Sequence, residues 1–371
     1  MRVLGERAVV YGSPVSFSRE AARALETGRW DGPLSRALAS ALAPVATRGL
    51  VRPAIVPSEI GLVCVGGATL GGSGKTRVAI ACARELASRG LNIALVGHAY
   101  RAAPKSARVV STEDALEDVG DEALVCAREL GVQVPVVIGP TRQAAIDHAV
   151  QLSPRLDAIV LDGPIAIRAR STQRSSSSAS EAERSSSSAS RMNRTVSLLA
   201  VDANRPWGSG RLPPAGDLRA PREVLLGHAD HVVPVDAMPA AVRWAHRSQS
   251  SSKAGSERED DTETVPLASL RSLSFGLFTA IARPDRLVRA LATVGIRPRE
   301  VVSVSDHGSL APAAARLARA PVDAWVGTAK CALHLRGVSL GVPVGILEAS
   351  DLVLPPSALA SVRDLCSSSQ E

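Results

Sequence analysis

An α/β fold, with a mostly parallel sheet flanked by helices and a second, smaller α/β lobe behind it, is predicted by three features of this 371-residue sequence. From residue 60 onward, short apolar runs alternate with segments of helical periodicity. A glycine-rich loop ending in Lys75-Thr76 lies between the first apolar run and the first such helix. After a Ser-, Glu- and Asp-rich break near residue 250, the alternation resumes.

Residues 1–28 read as a polar N-terminal extension. Residues 29–245 read as the main domain, and its first segment, 30–55, carries Trp30, Leu34, Leu38, Leu42 and Val45 among Arg36, Arg48 and Arg52. Leu34, Leu38 and Leu42 share one helical face, which predicts a basic amphipathic helix. Two placements fit that spacing equally, on an anionic membrane surface or packed on the core. Ile60–Gly66 is the first strand and 75–89 the first helix; strands follow at Leu91–Val96, Val134–Ile138, Ala158–Leu161, Leu198–Val201 and His231–Val235. Helical patterns fill 120–130 and 141–151. Residues 171–191 hold the direct repeat Arg-Ser-Ser-Ser-Ser-Ala-Ser, at 174–180 and 184–190. That composition predicts a disordered insertion within the domain, and the acidic stretch around 246–265 predicts a disordered linker. The smaller lobe, 266–371, has strands at Phe275–Ile281, Val301–Val304, Ala324–Val326 and Val344–Leu347, with helices at 284–293 and 311–319.

A formal charge of +7 suits nucleic acid, an anionic membrane or phosphorylated substrates, and an arginine-biased composition accounts for it as well. No interleaving of basic and aromatic residues and no zinc-ligand spacing is present, which argues against nucleic acid. Five scattered cysteines, at 64, 82, 126, 331 and 366, fit a reducing cytosol. No apolar run is long enough to span a bilayer and no export signal is evident. A cytoplasmic monomer is expected.

Thr69-Leu70-Gly71-Gly72-Ser73-Gly74-Lys75-Thr76 stands between strand and helix, the context a phosphate loop requires. Its glycines let backbone N–H groups curl around a polyphosphate, and the helix N-terminus adds partial positive charge. Lys75 can reach the β- and γ-phosphates of ATP, and the Thr76 hydroxyl can ligate Mg²⁺. Lysine occurs only at 75, 105, 253 and 330, so its place in this loop is unlikely to be accidental. Asp162 ends the apolar run Leu156–Leu161, where a carboxylate can share Mg²⁺ with Thr76. Gly120-Asp121-Glu122 opens a helix, and simple N-capping by Asp121 is the plainer reading of the residues alone. Asp306-His307-Gly308 lies in a loop, where a lone histidine is more often solvated than catalytic. The Gly/Pro-rich segment 202–221, with Asn204, Arg205, Gly208, Gly210, Arg211 and Arg219, follows another apolar strand and suits a rim facing phosphate or sugar.

Over roughly residues 30–350 the sequence resembles the tetraacyldisaccharide 4'-kinase, or lipid A 4'-kinase, family. That family's loop reads T-V-G-G-T-G-K-T, with threonine at the place of Thr69 where other phosphate loops have glycine. Its V-G-D-E-P resembles Val119–Ala123, and its V-D-A-x-R-x-x-G-N-G-x-L-L-P-A-G-P-L-R-E-P resembles 201–221. Its I-A-x-P resembles Ile281–Pro284, and its D-H-H resembles Asp306-His307-Gly308. The resemblance implies transfer of the ATP γ-phosphoryl group to the 4'-hydroxyl of a tetraacyl disaccharide 1-phosphate, at the cytoplasmic face of a bacterial inner membrane. It implies that Lys75 and Thr76 bind phosphate and metal, that Asp162 assists with Mg²⁺, and that Asp121 and His307 form the acid–base pair across the cleft between the lobes. Several family positions are replaced. L-D-D-G-x-Q-H appears as Leu161-Asp162-Gly163-Pro164-Ile165-Ala166-Ile167, S-R-G-Y-G as Gly97-His98-Ala99-Tyr100-Arg101, and T-E-K-D as Thr328-Ala329-Lys330-Cys331; the acid of P-L-R-E-P is Ala220. A catalytically weakened or non-catalytic nucleotide-binding relative with a regulatory role, or another P-loop ligase or kinase, are the alternatives to the lipid kinase.

Overall fold

The computed structural model describes residues 17–97, 99, 102–152, 155–169, 194–236, 238–245, 262–304, 306, 308–335 and 338–365. The expectations for 171–191, 247–261, His98, Tyr100, Arg101 and His307 fall outside the described residues. The chain forms two compact units, Ala24–Asp236 with Leu352–Glu371, and Met1–Arg23 with Ala237–Asp351.

Two helices precede the first sheet. α1 (Phe17–Thr27) lies within the stretch read as a polar extension, and its Ala-, Arg- and Glu-rich sequence has high helix propensity. α2 (Pro33–Arg48) opens with proline in its first turn, and the Ser35 hydroxyl accepts the Gly32 N–H at 2.8 Å. Ala39 is its buried residue, while Leu34, Leu38, Leu42 and Val45 are exposed, Leu34 at 84%.

The larger unit continues with β1 (Val51–Ala54), β2 (Gly61–Gly67), α3 (Lys75–Ser88), β3 (Ile93–Val96), β4 (Arg108–Val109), α4 (Leu116–Val119) and α5 (Asp121–Leu130). Next come β5 (Val136–Ile138), α6 (Arg142–Leu152), β6 (Ala158–Asp162), β7 (Ala166–Ala169), β8 (Thr195–Asp202), α7 (Arg222–Gly227) and β9 (His231–Val235). Seven strands join in the order β4-β5-β3-β6-β2-β8-β9. All neighbours are parallel except the edge strand β4. Every residue of β2, β3 and β6 is buried, because helices cover both faces of a parallel sheet. That is why these strands read as unbroken apolar runs. β1 and β7 form a separate parallel pair, with Arg52 opposite Ile167.

The second unit contains β10 (Pro239–Ala245), β11 (Thr262–Pro266), β12 (Phe275–Thr279), α8 (Pro284–Thr293), β13 (Glu300–Ser303), α9 (Ala314–Arg319), β14 (Ala324–Thr328), α10 (Ala329–Leu333) and β15 (Val344–Ala349). Its sheet runs β11-β10-β15-β14-β12-β13, with β10 antiparallel to both neighbours and the other pairs parallel. Trp325 is fully buried there, and its indole donates to the Leu317 carbonyl at 3.0 Å. Gly276 is required beside it, since a Cβ would come within 2.4 Å of the ring. Thr262–Pro266, expected within a disordered linker, pairs with β10 because Val265 packs on the core of this unit.

α11 (Pro356–Asp364) lies in the stretch expected to belong to the smaller lobe, but it packs on α3 and β9 of the larger unit. Arg363 meets Glu85 at 2.6 Å, and Arg194 donates to the Asp364 carbonyl at 3.0 Å. The second unit also begins earlier than expected, because β10 belongs to its sheet.

Candidate active site

β2 delivers the chain to the phosphate loop, and two glycines shape the path. A Cβ on Gly67 would lie 2.1 Å from the Ser73 hydroxyl. Gly74 has φ of +82° and abuts Val235, where a Cβ would come within 2.5 Å of a methyl group. α3 begins at Lys75, so the N–H groups of its first turn are available to a bound phosphate.

β6 lies directly beside β2, with Asp162 opposite Val65. This register sets the carboxylate next to the loop exit. Asp162 is 3% exposed; its Oδ2 accepts the Thr76 hydroxyl at 2.8 Å. Its Oδ1 stands 3.4 Å from Lys75 Nζ as an ion pair, is itself buried, and accepts no hydrogen bond. Lys75 also donates to Glu122 at 2.9 Å. Burial pulls the Lys75 pKa down, but the Asp162 and Glu122 charges outweigh it and hold the ammonium well above the usual lysine range. Lys75 is therefore a fixed cation at any physiological pH.

Glu122 has no local sequence signal of a site residue apart from the Val119–Ala123 motif. It sits 47 positions from Lys75. The helix opening also differs from the plainer expectation. Gly120, with φ of +82°, is the N-cap, Asp121 is the first helical residue, and no side-chain cap bond forms. Asp121 is 2% exposed on a helix packed against α3 and β5. A buried carboxylate at a helix N-terminus is stabilised by the helix dipole.

The 202–221 segment folds back onto the phosphate loop. Leu218 and Thr69 form an antiparallel bridge; Leu70 N–H donates to the Asp217 carbonyl at 2.9 Å and Arg219 N–H to Ala68 at 2.9 Å. Arg219 Nε reaches the Thr69 carbonyl at 3.4 Å. Burial lowers the Arg219 pKa, opposed by Glu122 and Asp162, so this arginine belongs to the charge cluster of the loop. Asn204, Arg205, Gly210 and Arg211 are exposed and Gly208 half-buried. Arg205 donates to the Glu26 and Gly208 carbonyls at 3.4 and 3.5 Å. The buried Asp217 carboxylate ties the segment together by accepting the Ser209 N–H at 2.8 Å and hydroxyl at 3.0 Å. Asp217→Ala is expected to cost about 1–3 kcal/mol, because the Ser209 N–H loses its acceptor. A melting temperature unchanged in that variant would show that the tie does not hold the loop.

In the second unit, Lys330 meets Asp306 at 3.3 Å, and the Thr328 side chain caps α10 by accepting the Cys331 N–H at 3.3 Å.

Among the described residues no group of three or more His, Cys, Asp or Glu forms a ready metal cluster. Mg²⁺ does not require one, since it keeps several waters and takes one or two protein oxygens plus substrate phosphates. The Thr76 hydroxyl and the unbonded, buried Asp162 Oδ1 fit that ion.

A loop of this kind, with Lys75 and Thr76 at its exit and Asp162 on the adjoining parallel strand, defines the P-loop phosphate-binding class. The family model for tetraacyldisaccharide-1-P 4'-kinase matches residues 34–164 and 189–344, and the chain belongs to that family. The chain is 30% identical over 331 residues to the tetraacyldisaccharide 4'-kinase of Brucella anthropi, covering 86% of this chain and 87% of that one. It is 31% identical over 294 residues to the enzyme of the same name from Brucella suis, covering 76% of each. Among solved structures, the "apo" form of LpxK from Aquifex aeolicus, described as in complex with ATP, superposes with a TM-score of 0.55 at 18% identity, covering 90% of this chain and 96% of that one. At that identity the likeness concerns the fold.

Proposed function

We infer that this protein is an ATP-dependent kinase that phosphorylates the 4'-hydroxyl of a tetraacyl disaccharide 1-phosphate in lipid A biosynthesis. The observation that carries the reading is a family match through both units of a chain in which Lys75, Thr76, Asp162 and Glu122 converge at one phosphate loop.

The chain's residues divide the work. Loop N–H groups and Lys75 bind the β- and γ-phosphates and offset charge developing on the transferred group. Arg219 fixes the loop through Thr69 and adds positive charge nearby. Thr76 and Asp162 would hold Mg²⁺, which would supply charge neutralisation to the transferred phosphate. Asp121 and His307 are assigned the proton of the sugar hydroxyl, on the strength of the family motifs; a carboxylate-oriented imidazole can accept that proton near neutral pH. Asn204, Arg205, Gly208, Gly210 and Arg211 would form the rim toward the sugar phosphate. Transfer of label from γ-labelled ATP to a tetraacyl disaccharide 1-phosphate, with the product's new phosphate at the 4' position, tests the reading. ATP hydrolysis without transfer to that acceptor would overturn it.

No helix among the described residues is long and apolar enough to cross a membrane. A peripheral site on the anionic cytoplasmic face of the inner membrane fits the exposed Leu34, Leu38 and Leu42 of α2, with Arg48 in its last turn and Arg52 following in β1. The protein is proposed to work there as a monomer with no nucleic-acid partner. Replacing the three leucines by serine is expected to lower affinity for anionic vesicles at least about tenfold, because each buried leucine contributes on the order of 1.5–3 kcal/mol. Binding should also weaken as salt rises. Sedimentation with vesicles unchanged by these substitutions would return α2 to a purely structural role.

A further inference from the structure

The turn that leaves the phosphate loop rests on the edge strand of the seven-stranded sheet. Gly74, with φ of +82°, faces Val235, the last residue of β9. A Cβ at position 74 would come within 2.5 Å of one Val235 methyl and 3.0 Å of the other, so this side chain fills the space against the glycine backbone. Val235 is 4% exposed. β9 accommodates Pro234 because it is an edge strand, and the fixed φ of proline stiffens the backbone just before Val235. Two hydrogen bonds hold the strand end. The Ala203 N–H, just past β8, donates to the Val235 carbonyl at 3.0 Å. Arg77, in the first turn of α3, donates from Nη1 to the Asp236 carbonyl. The end of β9 is thus joined to the loop exit twice, by Val235 against Gly74 and by Arg77 from the helix that follows.

The far ends of the same elements are braced by α11. His231, the first residue of β9, is hydrogen-bonded through Nε2 to the Ser361 hydroxyl at 2.8 Å. Arg363 pairs with Glu85 in the last turns of α3 at 2.6 Å. Gly61 opens β2 beside Leu365, the residue after α11, where a Cβ would come within 2.7 Å of a methyl group. β2 enters the loop, α3 leaves it and β9 supports it, and all three are fixed at their opposite ends by this one packing. Close-packed elements pass displacements on instead of absorbing them. A displacement of about 1 Å at a reacting group is enough to cost a large factor in rate.

We propose that Val235 and Arg77 are positioning residues for phosphoryl transfer, which hold the Gly74–Thr76 turn in the shape that aims its N–H groups at the nucleotide phosphates. Neither side chain has to touch ATP. Val235 acts through Gly74, and Arg77 acts through the end of β9. The proposal rests on the reading of Thr69–Thr76 as the nucleotide site.

The test uses full-length protein with Val235→Ala, Val235→Thr, Arg77→Met and Lys75→Ala. Affinity for a fluorescent ATP analogue, kcat for transfer to the acceptor and the melting temperature without ligand are measured, the first two well below that temperature. Val235→Ala opens the space behind Gly74 and is expected to weaken ATP binding at least about fivefold and to lower kcat about tenfold to a hundredfold. Val235→Thr keeps the branched shape but buries a hydroxyl, so its melting temperature should fall while ATP affinity and kcat stay within about threefold of wild type. Arg77→Met keeps the aliphatic stem without the donor, and should weaken ATP binding at least about threefold and lower kcat about tenfold at little cost in melting temperature. That variant decides the matter if Val235→Ala fails to fold, and ATP affinity alone decides it if the wild type transfers no phosphate. Wild-type ATP affinity and kcat in a folded Val235→Ala, or in Arg77→Met, overturn the proposal. So does a threonine variant as impaired in ATP binding as the alanine variant, because function would then follow stability and not shape. Lys75→Ala separates the two readings. If it alone loses ATP, the nucleotide site stands without its positioning residues; if it too keeps wild-type affinity, the site itself falls.

Discussion

Lys75→Ala is expected to reduce phosphoryl transfer by at least about 10²–10³-fold, on the scale of removing a preorganised electrostatic stabiliser. The side chain is held between Glu122 at 2.9 Å and Asp162 at 3.4 Å, so little reorganisation separates its resting position from one that meets a γ-phosphate. Its removal acts twice. The transferred group loses a cation, and the buried Asp162 faces Glu122 with no charge between them. Two carboxylates left without that ammonium repel each other, which would disturb Asp162 as an oxygen ligand. Nucleotide affinity should therefore fall together with turnover, at least about tenfold at fixed Mg²⁺. Lys75→Arg keeps the charge on a larger, planar group and should recover part of the binding and little of the rate. Full ATP affinity and rate in the alanine variant would remove Lys75 from the site.

The legible parts of this molecule are those written locally. β2, β3, β6 and β8 lie in the covered interior of a parallel sheet, so nearly every side chain is apolar and the runs stand out. The phosphate loop is legible for the same reason, since its glycines, lysine and threonine are contiguous and the strand and helix around it are strongly patterned. Elements whose stability comes from distant partners were harder to see. β1 is Val-Arg-Pro-Ala, and its proline and arginine give no alternation; it exists because β7, over a hundred residues away, pairs with it. β4 is two residues long. β10 carries a proline, three alanines and an arginine, and is defined by antiparallel neighbours on both sides. The return of α11 to the first unit is a packing event without a local sequence signal.

The same division runs through the site. Asp162 could be placed because it ends a strand after a phosphate loop. The engagement of Lys75 by Glu122 could not, because it depends on how α5 docks against α3. Nor could the turn of Arg219 toward Thr69, 150 residues away, which follows from the bridge between Leu218 and Thr69. The motif containing Asp121 and Glu122 pointed to the region without assigning both residues their parts. The parallel register of β2 with β6 sets Asp162 beside the loop, the docking of α5 on α3 brings Glu122 to Lys75, and the Leu218–Thr69 bridge brings Arg219.

Asp162→Asn is expected to separate nucleotide binding from metal-dependent turnover. Asparagine is nearly isosteric, so the Thr76 hydroxyl can still donate to a side-chain oxygen, and Lys75 keeps its bond to Glu122. The fold should hold, with a melting temperature within a few degrees of wild type. A buried carboxylate oxygen without a hydrogen bond is a cost in the native state, and the substitution removes that cost together with the attraction to Lys75. What the variant loses is the anionic oxygen suited to a hard cation. The apparent Mg²⁺ requirement should therefore rise at least about tenfold, and turnover at low Mg²⁺ should fall about 10²–10³-fold. Metal-free affinity for ATP should change little or improve, because a negative charge beside the phosphates is gone. Partial recovery of the rate at high Mg²⁺ would mark the defect as one of metal affinity. An unchanged Mg²⁺ requirement with unchanged turnover would mean that Thr76, Glu122 and the phosphates suffice for the ion, and that Asp162 serves only to hold Lys75 and Thr76 in place.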